Sequence, residues 1–207
     1  MHGRTQRSPF GKFLPLAAVA PLALLLSACL GPSQPDQFYM LRAVDESSAA
    51  SYPGQGALVG LGPVRIPAYL DRPQMVVAAS GQEYRLSEDH RWAERLDDNI
   101  ARVSAQNLAG MIPSDRILLH PWPREPRPDA QLAVNVQEMH VDPVGQARLT
   151  VLWTLRHGDD ATLSRRFACR QPASRTDYPQ MVEAFSQCLA RLNREMAGAV
   201  RGLGPAR

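Results

Sequence analysis

The clearest hydrophobic pattern in the chain is a strict alternation of apolar and polar positions between residues 147 and 157. The apolar positions that share one side are Leu149, Val151, Trp153 and Leu155. The opposite side carries mainly Arg and Thr, interrupted by Leu152. A period of two predicts an antiparallel strand with one buried face. The turn-forming segment 142–146 precedes it and predicts a hairpin with an apolar strand at 131–141.

Shorter apolar runs, bounded by Gly, Pro, Ser and Asp, predict the remaining strands. They lie at 38–41, 57–66, 74–79, 83–86, 116–120 and 162–169. Pro63 cannot donate to a central ladder, so 57–66 is predicted to be a kinked edge strand. Residues 45–56 are rich in Ser, Ala and Gly and indicate a loop. The segment 121–128 contains four prolines and Trp122, which either contacts a partner or covers the domain's own core.

Two segments change to a helical period of three to four residues. The first apolar stripe consists of Trp92, Leu96, Ile100, Val103, Asn107 and Met111. Ser87 or Asp89 is the expected N-cap of this helix. The second helix is predicted to begin after Asp177, with Gln180 three residues on as in a capping box, and to end near Gly202. Strands interleaved with two main helices indicate an α/β domain with a mixed sheet.

The N-terminus has the three parts of a lipoprotein signal peptide in order. A basic start precedes the apolar run 13–26, which is shorter than a bilayer-spanning helix. Leu26-Ser27-Ala28-Cys29 then resembles a lipobox, so residues 1–28 are predicted to be removed and Cys29 to be lipidated. Residues 29–37 form a polar, Pro-containing tether, 38–201 the domain and 202–207 a flexible tail.

Charge and residue types exclude several functions. Arg4, Arg7 and Lys12 account for the whole net charge of +3, so the exported body has no excess of positive charge for nucleic acid. Lys12 is the only lysine, which excludes a lysine-based phosphate loop or Schiff base in that body. The four histidines after residue 28 are His90, His120, His140 and His157, and their spacing is not that of metal ligands. No motif of a catalytic nucleophile is present. We therefore predict a non-enzymatic protein without a metal or cofactor.

Cys169 and Cys188 are the two cysteines of the predicted domain. Cys169 shares strand parity with inward-facing residues, and Cys188 lies on the apolar stripe of the last helix. Export places both thiols in an oxidising compartment, which favours a disulfide. The alternative is a pair of buried free thiols that act as small apolar side chains.

The run from Val59 to Val76 resembles the signature of the ABC-type transport auxiliary lipoproteins, the PqiC-like family. The matching positions are Gly62, Pro63, Pro67, Tyr69, Leu70, Asp71, Arg72 and Pro73, with Arg91 and Trp92 in a second piece. The run has two glycines, Gly60 and Gly62, where members often have one, and Glu94-Arg95 replaces Glu-Pro. Asp71 is expected to accept hydrogen bonds from its own turn, or to pair with Arg72 or Arg91.

The resemblance implies a three-layer α/β/α domain in an MCE-type lipid transport system. It implies an outer-membrane lipoprotein facing the periplasm, anchored only by the diacylglycerol and N-acyl chains on Cys29. Leu30 rather than Asp after Cys29 agrees with outer-membrane sorting. Implied partners are an MCE-domain protein, inner-membrane transporter subunits and further copies in a ring. The alternatives are a binding module of a lipopolysaccharide-assembly-like machine and, less in keeping with the residues, a lipid-anchored hydrolase.

Overall fold

The computed structural model describes residues 35–44, 57–112, 116–158 and 161–203, with no side-chain description at 161–162. The chain divides into two units, Met1–Pro35 and Asp36–Arg207, and every element given below belongs to the second. Several predictions lie outside the described residues: the signal peptide, Cys29 and most of the tether, the loop 45–56 and residues 204–207.

The described residues form eight strands and two helices. The strands are β1 Gln37–Tyr39, β2 Val59–Arg65, β3 Gln74–Ala78, β4 Tyr84–Trp92, β5 Ile117–Leu119, β6 Ala130–Val141, β7 Gln146–His157 and β8 Ala161–Pro172. The helices are α1 Leu96–Met111 and α2 Tyr178–Arg201. The α/β class, the mixed sheet and the two main helices are thus confirmed.

Strand β6 organises the sheet. One of its edges pairs antiparallel with β7 along nearly its whole length, and β8 follows β7 in the same way. Its other edge is shared by two parallel partners. β2 pairs with the first half of β6, up to Asn135, and β3 joins only at Val141. β5 lies beside β2, while β4 and then β1 lie beside β3. The sheet therefore forks on one side of β6.

Both helices pack on the same face of this sheet, so the described domain has two layers rather than the predicted three. α1 contacts α2 as well as β2 and β5, and α2 contacts β6, β7 and β8. Inward side chains such as Leu132, Val151 and Trp153 are fully buried beneath them. The opposite face carries polar residues such as Arg148 and Arg156. Among the described residues no helix covers that face, and the proline segment 121–128 packs there against β2 instead.

An extended segment after β1 runs between the two helices and explains three of their buried polar residues. Leu41 N donates to Asn99 Oδ1 of α1 at 2.7 Å, and Val44 N donates to Asn107 Oδ1 at 3.2 Å. Arg42 N donates to Ser186 Oγ of α2 at 3.1 Å. Because strand pairing is absent here, these side chains supply the acceptors that buried backbone requires. Asn99, Asn107 and Ser186 on the helix stripes are therefore specific contacts to this segment.

The predicted start of the first helix is wrong, because Trp92 ends β4 and the helix begins at Leu96. β4 is flanked by β1 and β3, which pair with Arg91 from both sides and fix it as a strand. Ser87 Oγ accepts from His90 N at 3.0 Å and caps no helix. Asp97 and Asp98 occupy the first helical turn, where the helix dipole favours acids.

The prediction of an edge position for β2 is also wrong. The strand lies between β5 and β6, and Pro63 is accommodated because the register with β6 shifts between Leu61 and Val64. At the second helix the predicted cap is confirmed, since Asp177 Oδ1 accepts from Gln180 N at 3.0 Å. Gln180 reaches Ser174 N instead of closing the capping box.

Candidate functional site

The segment that carries the family-like motif is a compact turn between β2 and β3. Leu70 N donates to Pro67 O at 2.9 Å, and Arg72 N donates to Leu70 O at 2.8 Å. The Leu70 side chain is only 3% exposed and anchors the turn in the core. The prolines at both ends restrict the backbone in the unfolded chain as well. The turn is therefore held rigidly at the place where the sheet forks.

Tyr69 fills the gap that the fork leaves in the sheet. Its hydroxyl accepts a hydrogen bond at 3.1 Å from Met139 N, which lies between the residues of β6 that pair with β2 and with β3. Its ring lies 5.1 Å from that of Tyr84. Burial raises the pKa of Tyr69, although the Met139 bond acts in the opposite direction. Tyr69 thus replaces a missing strand partner and is a structural residue of the motif.

The two pieces of the motif meet in space. Trp92 N donates to Pro73 O at 2.7 Å, and the Trp92 side chain is buried in the core. Arg91 Nε lies 2.9 Å from Asp36 Oδ2, an ion pair without the alignment of a hydrogen bond. That contact ties Asp36, which lies within the predicted tether 29–37, to β4. The second piece therefore anchors both the motif turn and the N-terminal entry of the chain.

Charged side chains remain exposed at the tip of the turn. Asp71 faces Arg95 Nη2 at 3.6 Å, rather than Arg72 or Arg91 as expected from the sequence. Arg95 also binds Asp97 at 2.8 Å. Burial by itself raises the pKa of Asp97. The hydrogen bond from Arg95 and its positive charge have a larger combined effect and hold the pKa of Asp97 below its usual range. Arg72 is exposed and has no ion pair among the described residues.

We call Asp71, Arg72 and Arg95 the motif tip. It combines a rigid backbone, both signs of charge and open access, which suits a polar contact with another macromolecule. It holds no nucleophile or acid–base pair. Sequence reasoning placed Asp71 and Arg72 in the motif but missed Arg95, because Arg95 departs from the family pattern and its role depends on the β4–α1 connection.

The structure explains why β2 has glycine at both Gly60 and Gly62, because a side chain would collide with neighbouring residues at each position. Gly62 has φ +122°, and a Cβ there would lie 2.5 Å from His120 Cβ. A Cβ at Gly60 would lie 2.7 Å from Pro128 Cγ and 3.1 Å from Trp122 Cη2. The proline segment 121–128 therefore packs directly on β2. Trp122, half-buried, packs on this outer face of the sheet and is not among the side chains that form or contact the hydrophobic core.

A disulfide joins the last strand to the last helix. Cys169 of β8 and Cys188 of α2 are bonded, with their Cα atoms 5.6 Å apart. Both side chains are buried in the core. The bond fixes α2 against the edge half of the sheet, where the α2 side chains also cover β7.

The described residues show no cluster of reacting groups. Within these ranges, no group of three or more His, Cys, Asp or Glu side chains is placed to hold a metal ion. Neither of the two described helices is long and apolar enough to cross a membrane.

The fold and the motif identify the class as an α/β lipoprotein domain. Residues 39–197 match the model of the ABC-type transport auxiliary lipoprotein component family, so the chain belongs to that family. The family describes a lipoprotein that acts as an auxiliary component of ABC-type transport. No curated protein is significantly similar in sequence.

Solved structures share the fold. The domain is similar to an uncharacterized protein in a crystal structure, with 21% identity and a TM-score of 0.67, over 81% of this chain and 99% of that one. It is also similar to a DUF330 protein from Xanthomonas campestris, with 21% identity and a TM-score of 0.60, over 78% and 93% of the two chains. At this identity the likeness establishes the fold alone.

Proposed function

We propose that the protein is a non-enzymatic subunit of an MCE/ABC-type lipid transport system that maintains the envelope. The family match over residues 39–197 carries this proposal, because it names an auxiliary lipoprotein of ABC-type transport. The lipobox at Leu26–Cys29 lies directly upstream of the matched domain. Together they describe a domain whose task is to be held at a membrane and to contact a transporter.

The anchor proposed for the protein is the lipidated Cys29. Diacylglycerol and an N-acyl chain on one residue give stable attachment, whereas a single chain binds only marginally. Leu30 at the sorting position supports transfer to the outer membrane, with the domain facing the periplasm. The nine residues of the tether, 29–37, reach at most about 30 Å when extended. The domain would therefore work close to the bilayer surface.

The proposed partners are an MCE-domain protein, inner-membrane transporter subunits and further copies of the chain in a ring. The motif tip is the surface proposed for the contact with the MCE protein. Arg72 supports this, because it is exposed at the end of a rigid turn and lacks an ion-pair partner among the described residues. A preorganised charged tip loses little entropy on docking and selects a complementary partner.

Co-purification tests the proposal directly. The tagged full-length chain is isolated in mild detergent from its own envelope, and the bound proteins are identified by mass spectrometry. We expect an MCE-domain protein and an ABC ATPase or permease. Recovery of lipopolysaccharide-assembly proteins instead would contradict the assignment.

A variant pair tests the contact surface in the same experiment. Arg72→Ala should reduce recovery of the MCE protein several-fold, because one charge of the docking surface is lost. Arg175→Ala, at an exposed arginine in the connection between β8 and α2, is the matched control and should leave recovery unchanged. Equal recovery with both variants would exclude the motif tip as the contact.

A further inference from the structure

A cleft on the helix-free face of the sheet is not used by the proposed function. It has a volume of about 540 Å³ and opens between the proline segment 121–128 and the adjoining ends of β6 and β7. Its polar and aromatic lining consists of Trp122, Arg124, Arg127, Asp129, Gln131 and Arg156. The volume lies within the range of small-molecule sites. We call it the arginine cleft.

Among the described residues that line the arginine cleft, three are arginines and one, Asp129, is acidic. Arg124 and Arg156 are exposed and have no ion pair among the described residues. Arg127 lies 3.7 Å from Glu125, but both side chains are at least 80% exposed, so the pair is weak. Asp129 turns a carboxylate oxygen to Leu58 N, which donates to it at 2.7 Å. The guanidinium groups are therefore available to an external anion.

The frame of the cleft is rigid on both sides. Arg156 stands on β7, which is paired with β6 and β8. Arg124 and Arg127 lie in a segment whose prolines limit the backbone and whose Pro128 and Trp122 pack on Gly60. Gln131 Nε2 donates to Gly62 O at 3.0 Å and fixes the floor. Arginines held on such a frame lose less entropy on binding than those on a mobile loop.

The same face carries further unpaired positive charge. Arg148 of β7 stands directly opposite Arg170 of β8, and Arg166 stands opposite Leu152. Like charges opposite each other destabilise a sheet. No acidic side chain forms an ion pair with these arginines among the described residues. Arg148 and Arg170 lie eight residues along β7 from Arg156, about 26 Å at the rise of a strand, so among these three only Arg166, opposite Leu152, lies near the cleft.

We propose that the arginine cleft binds a phosphate-bearing anion, and that its ligand is the phosphate group of a lipid head group with a net negative charge, such as phosphatidylglycerol. The identification with a lipid rests on the proposed function, whereas the anion site rests on the cleft alone. Guanidinium groups match phosphate oxygens with two parallel hydrogen bonds each. Trp122 supplies an apolar wall for the carbon atoms next to the phosphate.

Calorimetric titration of the full-length chain in a nonionic detergent tests the site. The probes are inorganic phosphate, dihexanoyl phosphatidylglycerol and dihexanoyl phosphatidylcholine. We expect the phosphatidylglycerol to bind, more weakly as salt rises, and Arg156→Gln to raise its Kd at least about tenfold, as for the loss of a charge-assisted hydrogen bond. Arg170→Gln is the matched control on the same face outside the cleft, and should change the Kd less than about twofold.

The probes distinguish the sources of the anion. Binding of inorganic phosphate with similar affinity supports a phosphate site and contradicts selection of a lipid. Equal binding of phosphatidylcholine, or equal effects of Arg156→Gln and Arg170→Gln, would overturn the cleft as a specific site. Loss of an acidic protein partner in Arg156→Gln without any phosphate binding would overturn it in favour of a protein contact. Co-purification of the transporter subunits is a separate readout, so either proposal can fail alone.

Discussion

Gly60 and Gly62 determine how closely the proline segment 121–128 packs on β2. Gly62 adopts a backbone conformation that L side chains rarely adopt, and it also lies against His120. Gly60 lies against a proline ring, which cannot rotate away as a flexible side chain would. The close packing of residues 121–128 on the sheet, and with it the shape of the arginine cleft, depends on the absence of Cβ atoms at these positions.

Gly62→Ala should destabilise the domain by about 2 kcal/mol or more, since positive-φ strain and the collision with His120 act together. Urea unfolding followed by circular dichroism measures the change. Gly81→Ala is the control, because a Cβ at Gly81 meets no atom within 4 Å. That variant should stay within about 0.5 kcal/mol of the parent. Similar losses in both variants would refute the packing argument.

His140 is the buried titratable group next to the fork in the sheet. Its side chain is 5% exposed, its Nδ1 has no hydrogen-bond partner, and its ring stands edge-on to Tyr84 at 5.3 Å. Burial lowers the pKa of His140, and Arg148 acts in the same direction, while Glu138 and Asp142 oppose it. The folded domain therefore favours the neutral imidazole.

The lowered pKa predicts the pH dependence of stability. An unfolded histidine takes up a proton near pH 6.5, whereas the folded one does so only at lower pH. The contribution of His140 is therefore complete above about pH 6.5 and is lost as pH falls through the folded pKa. The free energy of unfolding of His140→Gln should fall less between pH 7.5 and 5.5 than that of the parent. Parallel pH profiles for the two proteins would contradict this.

At the scale of elements, the Cys169–Cys188 disulfide links β8, at one edge of the sheet, to the helix α2. The cysteines are 19 residues apart, and closing a loop of that size stabilises by about 3 kcal/mol. Reductant should lower the free energy of unfolding by about that amount. Intact-mass analysis after alkylation in denaturant, without reductant, should show no adduct on Cys169 or Cys188. Two adducts would indicate that both thiols are free.

Strands and helices could be predicted from the sequence where the buried face is clearly more apolar than the exposed face. β7 and α2 have buried and exposed positions that follow periods of two and 3.6, so their bounds agree closely with the structure. The junction of β4 and α1 was not predictable in this way. Trp92 and Leu96 are four residues apart and imitate a helical stripe, although Trp92 is fixed by pairing with the distant β1. Such pairing leaves no local signal.

The candidate sites show the same limit, since residues that meet only through the fold leave no local signal in the sequence. The motif turn was visible in the sequence because its residues are contiguous. The arginine cleft was not, because Arg124, Arg127 and Arg156 come from two elements and meet only through the packing of Pro128 and Trp122 on Gly60. The extra glycine of the motif was the available signal, since a glycine inside a strand indicates a close approach of other atoms.

At the scale of the whole molecule, our proposal gives the domain and its anchor separate tasks. The described domain folds around its own core, with two helices on one sheet face. In our proposal the attachment comes from Cys29 alone, followed by a tether short enough to keep the domain near the bilayer. Arg91, paired with Asp36, marks the point where the chain enters the domain. Loss of the anchor should therefore alter location without altering the fold.

Cys29→Ala should abolish membrane attachment and leave a soluble or uncleaved product, because the thiol that accepts the diacylglycerol is gone. Fractionation of the envelope, with the mass of the N-terminus measured, distinguishes the two products. The paired variant Cys169→Ala/Cys188→Ala is the control for cysteine loss. It should remain in the membrane fraction although its domain is less stable. A Cys29→Ala protein that has lost residues 1–28 and still sediments firmly with the membrane would show that another part of the chain provides the anchor.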